Sequence, residues 1–212
     1  MTFAHVDDLE RIELDDGFVW RPVRRRFDIR AFGVNAYSPG ESGQVVEEHS
    51  ESELGHEEIY LVLRGRVKFT VDGSDHELGQ GQLVFVRDPS LKRGGVALTD
   101  DAAVLAIGGK PGEAFEVSAW ETWFAAYPLQ QAKKWDEAIA LYNEALAERP
   151  DNASLLYNLA CMEALAGRAD DAFPHLLRSI ELRPSLAESA AKDEDFASIK
   201  DDPRFPTAAS SS

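Results

Sequence analysis

The chain has a single cysteine, Cys161, among its 212 residues, so no disulfide can form within it. That thiol lies in an apolar helical stretch and reads as a buried core residue rather than a nucleophile. No apolar run reaches the length of a membrane span. The first ten residues, Met1-Thr2-Phe3-Ala4-His5-Val6-Asp7-Asp8-Leu9-Glu10, lack the basic start and apolar centre of a secretory signal, and a cytoplasmic protein is the expectation. Positive charge is scarce, with 22 Lys and Arg against 38 Asp and Glu, a net charge of −16. The deficit is shared equally, −8 in residues 1–115 and −8 in residues 116–212. Both parts would therefore repel nucleic acid and anionic membranes, which excludes these as partners. A basic cluster at Arg21, Arg24, Arg25 and Arg26 is too small to reverse this and is expected to pair with acids such as the Asp-rich start. A phosphate loop is also lacking. Gly94-Gly95 and Gly108-Gly109 read as turn glycines, with no helix signature behind them.

What is present divides into two kinds of text. Residues 1–17 form an acidic lead-in, expected to be loosely held. From Phe18 to Gly108 short strands alternate with turn signals. Phe27–Val34 alternates apolar and polar residues, Ile59–Leu63 is almost wholly apolar, and Val67–Val71 alternates cleanly into Asp72-Gly73, a strong hairpin signal. Leu83–Val86 and Val104–Ile107 complete the pattern. Many short strands at regular spacing predict an antiparallel β-barrel or sandwich over residues 18–112.

After a linker around Lys110-Pro111-Gly112-Glu113 the period becomes helical. Trp135-Asp136-Glu137-Ala138-Ile139 and Ala169-Asp170-Asp171-Ala172-Phe173 occupy equivalent places, and Ala138 to Ala172 and Pro150 to Pro184 are both 34 residues apart. That period, with small residues at helix crossings and a Pro closing each unit, is the mark of a helix-turn-helix solenoid repeat. The repeats span 119–152 and 153–186, and capping helices extend the helical region to 116–205. A disordered tail is expected at 206–212. Two repeats are fewer than usually stand alone, so their apolar faces need covering.

The strand region resembles a cupin. That family's first motif is a Gly, five residues, His-x-His, three or four residues, Glu, six residues and Gly. Here five residues separate Gly43 from His49, and Glu57-Glu58-Ile59-Tyr60-Leu61-Val62-Leu63-Arg64-Gly65 resembles its second half. Gly81-Gln82-Leu83-Val84-Phe85-Val86 is similar to the second motif. The helical region resembles tetratricopeptide repeats. The implied fold is α+β and multidomain: a cupin jelly-roll β-barrel followed by an α-helical, tetratricopeptide-like solenoid.

The departures from the cupin pattern bear on function. A cupin metal site holds three imidazoles and one carboxylate. Here the second His falls on Glu51, the loop to Glu58 is two residues longer, and the last His position is Lys92. An ammonium has no lone pair for a metal. Lys92, or its neighbours Arg87 and Arg93, could instead supply the cation that a buried Glu58 needs. The expected ligand pocket is therefore Glu58, Tyr60, Lys92, Arg87 and Phe85. A rival reading keeps a metal. His56 lies two residues before Glu58, on the same strand face, so His49, Glu51, His56 and Glu58 could form a site for a divalent transition metal, with His56 expected nearer than Glu51. A third reading places both imidazoles in solvent.

Three functions follow as expectations: a small-molecule-binding cupin with a degenerate metal motif, acting as a sensor or accessory module; a metal-dependent cupin enzyme of isomerase or dioxygenase type using His49, His56 and Glu58; and an interaction scaffold working through the repeats. By the tetratricopeptide resemblance, the first helix of each pair lines a partner groove, here Trp120, Trp123, Tyr127, Tyr157 and Asn158. This aromatic, nearly uncharged groove suits an apolar peptide or protein. The alternative is that these aromatics pack on the barrel or the C-terminal segment. A homodimer is left open.

Overall fold

The computed structural model describes residues 2–15 and 17–206, in two compact units, Met1–Val117 and Ser118–Ser212. Apart from Pro206, the expected tail at 206–212 lies outside the described residues. Among those residues no helix is long and apolar enough to cross a membrane.

The first unit opens with a 3-10 turn at Val6–Asp8. It continues through β1 (Ile12–Glu13), β2 (Phe18–Arg21), α1 (Val23–Phe27), β3 (Gly33–Pro39), β4 (Gln44–His49), β5 (Glu57–Arg64), β6 (Arg66–Val71), β7 (Ser74–Gly79), β8 (Leu83–Val86), β9 (Arg93–Ala97) and β10 (Ala103–Gly109). Asp72 and Gly73 both take positive φ, 48° and 77°, the backbone of a tight hairpin turn whose twist suits the β6–β7 pair. The strands form two antiparallel sheets, in the orders β1-β2-β3-β10-β5-β8 and β4-β9-β6-β7. Val45, Val67 and Phe69 of the smaller sheet and Tyr60, Val62 and Val104 of the larger one share a single buried core. This is a cupin-like β-sandwich; the pairing makes two facing sheets and does not close a ring.

Three local expectations are corrected. Phe27–Val34 is not one strand. Asp28 turns left-handed at φ 50° and ends α1, and β3 begins only at Gly33. The paired glycines are not turn residues, because Gly94-Gly95 lie within β9 and Gly108-Gly109 within β10. The acidic lead-in is not loose. Leu9, Ile12 and Leu14 are buried, β1 pairs with β2, and Arg64 grips both carboxylate oxygens of Asp7 at 2.6 and 2.7 Å. Arg21 also reaches Asp7, at 3.8 Å, the acid partnering expected of the basic cluster.

The second unit carries α2 (Ala119–Gln131), α3 (Trp135–Glu148), α4 (Ala153–Leu165), α5 (Ala169–Leu182), α6 (Leu186–Lys192) and a 3-10 turn at Glu194–Phe196. α4 starts and ends 34 residues after α2, and α5 does so after α3. Pro150 and Pro184 each follow a helix end by two residues, where the ring cannot continue the helix. The core of this unit joins Tyr142 of α3, Leu155 and Leu159 of α4, and Phe173 and Leu176 of α5 to Phe196 and Ile199 of the C-terminal segment.

Candidate functional site

Strand alternation gathers the chemistry at one end of the sandwich. Glu58, the second residue of β5, lies between Val86 of β8 and Gly108 of β10. Its face is shared by Tyr60, which is buried. From the facing sheet come His49, last in β4, and Arg93, first in β9, which are partners across those strands. Glu51 enters from the loop between β4 and β5. Its backbone N–H donates to the Pro89 carbonyl at 2.8 Å, and its own carbonyl accepts from Gly55 at 2.7 Å, so the longer loop folds as a turn and carries the side chain inward.

Glu58 Oε2 is the hub. It accepts from the Tyr60 hydroxyl at 2.5 Å and from Arg93 Nε at 3.1 Å, and His49 Nε2 lies 3.5 Å away. Arg93 is 0% exposed, and its Nη1 donates to the carbonyls of Leu91 and Pro89 at 2.8 and 3.2 Å. Its Nη2 has no hydrogen-bond partner among the described residues. The Glu47 carbonyl lies 2.8 Å from His49 Nδ1. It accepts a hydrogen bond from Nδ1–H and leaves Nε2 facing Glu58, Glu51 at 3.6 Å and Tyr60 at 3.5 Å. His56 Nδ1 sits 3.2 Å from Glu51 Oε2. Gly108 makes room for the hub, since a Cβ there would meet Glu58 Cγ at 2.8 Å.

Electrostatics favour the charged forms of Glu58 and His49. Burial alone would raise the Glu58 carboxyl, but hydrogen bonds from His49 and Tyr60 and the charges of His49 and Arg93 outweigh it and lower its pKa. Burial would lower His49; the Glu58 hydrogen bond, the Glu47 carbonyl and the charges of Glu58 and Glu51 raise it instead. Tyr60 is pushed well above the usual phenol range by burial and by the adjacent Glu58 charge, so it stays a donor at neutral pH.

The structure corrects several expected site residues. Lys92 leaves the pocket; its Nζ lies 3.2 Å from Glu48, and both side chains are largely exposed. Because successive strand residues face opposite ways, Arg93 enters where Lys92 was expected. Phe85 pairs with Ile59 on the outer face of the sheet and is exposed, and Arg87 lies over its ring at 5.3 Å. Neither enters the pocket. Glu51, not His56, completes the inner group: ligand atoms of His49, Glu51 and Glu58 lie within 4.8 Å of one another. In the helical unit Tyr157 does not line an open groove. It donates to Asp193 at 2.8 Å and meets Phe196 edge-on at 5.4 Å, as the C-terminal alternative anticipated. Tyr127 is buried, and Trp120, Trp123 and Asn158 are half-buried.

His49, Glu51 and Glu58 are chemically suited to a divalent ion, yet they do not fit a resident one. The hub oxygen of Glu58 already takes two hydrogen bonds, and the guanidinium beside it is a fixed, buried positive charge. Arg93 offsets the Glu58 charge, and the Glu58 and Glu51 carboxylates raise the His49 pKa and so favour its charged form. A separate groove of about 510 Å³, lined by Val6, Leu9, Phe27, Leu63 and Leu105 with Arg64, contains none of these residues.

A family model described as AraC-like ligand binding domain matches residues 32–187. A search of curated proteins found no match. Among solved structures, the chain is similar to KdgF from a Halomonas species (16% identity, 57% of this chain and 98% of that one, TM-score 0.45). It is also similar to a cupin-superfamily sugar phosphate isomerase from Silicibacter pomeroyi (17%, 51% and 76%, TM-score 0.43) and to an RmlC-like cupin from Shewanella frigidimarina (16%, 53% and 94%, TM-score 0.41).

Proposed function

The chain belongs to the family of AraC-like ligand binding domains, and from that premise we propose that its sandwich binds a small, hydroxyl-bearing molecule at the His49–Glu51–Glu58 cluster without a metal. The observation that carries this reading is the wholly buried Arg93 guanidinium on Glu58, a built-in cation where a cupin would place its ion. It keeps Glu58 ionised and therefore a strong acceptor. His49, whose side chain is 31% exposed, is the lip of the site. A ligand hydroxyl that donates to a carboxylate and accepts from a His49 N–H satisfies both groups at once. Glu51 adds a second acceptor, its Oε2 buried without a hydrogen-bond partner among the described residues.

The helical unit is read as a tetratricopeptide-like docking module for a protein or peptide, supported by the 34-residue recurrence of both helix positions. Ligand occupancy in the sandwich and partner binding through the helices together make a sensor or accessory protein of the cytoplasm. The metal-dependent enzyme is the weaker reading, because a dication would sit against Arg93.

The ligand reading is tested by thermal shift against a panel of monosaccharides, sugar acids and sugar phosphates after chelator treatment. At least one compound should raise the wild-type melting temperature and leave Glu58→Gln and His49→Ala unmoved. A panel that stabilises nothing, or that stabilises Glu58→Gln equally, removes the reading. Stabilisation that requires an added divalent metal restores the enzyme.

A further inference from the structure

The helical unit holds a second constellation that the ligand reading does not use. Cys161 of α4 meets Asp193 and Asp195, which flank and enter the turn after α6. One ligand atom from each lies within 4.8 Å of the other two. Cys161 Sγ is 3.9 Å from Asp193 Oδ2. In a tetrahedral site with metal–sulfur and metal–oxygen bonds of about 2.3 and 2.1 Å, the sulfur–oxygen edge is about 3.6 Å, so this edge is already close to the length a metal imposes.

Two further observations point to a cation. The paired carboxylates have no Lys or Arg ion pair among the described residues; neutral donors alone meet Asp193, the Tyr157 hydroxyl at 2.8 Å, the Asp195 N–H at 3.0 Å and the Cys161 thiol at 3.9 Å. Like charges held together away from full solvent, without a counter-ion, are unfavourable. Tyr142 lies in the same buried core as Cys161. It is 0% exposed, its hydroxyl lies beside Asn158 and within electrostatic reach of Cys161 and Asp195, and that hydroxyl makes no hydrogen bond of acceptable geometry. A buried hydroxyl without a partner calls for one, and a water carried on an ion would supply it.

We propose that Cys161, Asp193 and Asp195 bind a divalent transition metal, with the Tyr142 hydroxyl bonded to a water on the ion. One thiolate and two carboxylates form a borderline donor set that selects zinc-like ions over magnesium or calcium. On binding, the sulfur exchanges its proton for the metal and the proton passes to the buffer. The ion would tie α4 to the C-terminal segment that closes this unit. The site is independent of the sandwich and of its ligand.

Cobalt titration tests it directly. Full-length protein purified without a His tag, stripped with chelator and titrated with Co²⁺ should develop a near-ultraviolet sulfur-to-cobalt charge-transfer band that saturates at one equivalent. Since Cys161 is the chain's single cysteine, the band reports this site alone. It should vanish in Cys161→Ser, weaken at least tenfold in apparent affinity in Asp193→Asn and Asp195→Asn, and persist unchanged in Glu58→Gln. Folded wild-type protein that shows no band in excess Co²⁺ overturns the proposal, even if cobalt binds elsewhere. So does a band that survives Cys161→Ser or is indifferent to both Asp variants. If Cys161→Ser does not fold by circular dichroism, the two Asp variants decide.

Discussion

Lys92 and Arg93 are adjacent cations with opposite fates, and the contrast is measurable. Arg93 is fully buried against Glu58, so Arg93→Ala leaves a buried carboxylate uncompensated and should cost on the order of 3–5 kcal/mol. Lys92 pairs with Glu48 in solvent, and Lys92→Ala should stay within about 0.5 kcal/mol. Urea unfolding of the two variants checks both; equal losses would contradict the assignment of the inner cation. Lys92 and Arg93 could be named from the cupin spacing as candidate partners of Glu58. Which of them faces inward could not, because that depends on the register of β9 against β4 and β6, set by contacts far away in sequence.

At the scale of elements, β10 accommodates the site by lacking a side chain. Gly108 lies opposite Glu58, and a Cβ there would meet Glu58 Cγ at 2.8 Å, whereas one at Gly109 would meet nothing. Gly108→Ala should therefore displace Glu58 and cost about 1–3 kcal/mol, the usual range for overpacking, and should weaken any ligand response. Gly109→Ala serves as the control and should do neither. In the helical unit α4 and α5 are joined by His175 Nδ1 and Glu163 Oε2 at 2.8 Å. The hydrogen bond to Glu163 raises the His175 pKa. A His raised in the folded state adds stability that is fully present below its unfolded value, about 6.5, and that is lost as pH rises through the folded value. Because His175 is about one-third exposed, the effect is modest. An NMR titration should place the His175 midpoint above that of a free imidazole, and Glu163→Gln should bring it down; an unmoved midpoint would rule out the coupling. Neither Gly108 nor the Glu163–His175 pair was legible in the sequence, since each joins residues whose closeness arises only from strand or helix pairing.

At the scale of the whole molecule, the acidic start is part of the first unit, and so the unit begins earlier than its strand-rich text. Leu9, Ile12 and Leu14 are buried, and Asp7 is held by Arg64. Removing residues 2–15 should lower the stability of the chain by several kcal/mol, given roughly 1.5–3 kcal/mol for each large apolar side chain buried less the entropy of ordering the segment. Differential scanning calorimetry would register this as a lower melting temperature; an unchanged melting profile would show the segment to be dispensable. Charge patterning alone made the segment look solvated, because the three residues it buries, Leu9, Ile12 and Leu14, are spaced too irregularly to announce a strand.

The sequence by itself determined what repeats locally. Period-two alternation and an Asp-Gly pair placed β6 and β7, the 34-residue recurrence of Ala and Pro positions marked the helix pairs, and the spacing around His49 and Glu58 marked the resemblance to the metal-site end of a cupin. These signals are legible because backbone sterics and side-chain period act within a few residues of one another. The tertiary structure alone decided that Arg93 and not Lys92 neutralises Glu58, that Glu51 and not His56 joins His49, and that Cys161 meets Asp193, 32 residues away, and Asp195 beside it. Each of these rests on side chains from separate elements sharing one low-dielectric space, where a one-residue change of face or a turn in a loop exchanges one charged group for another.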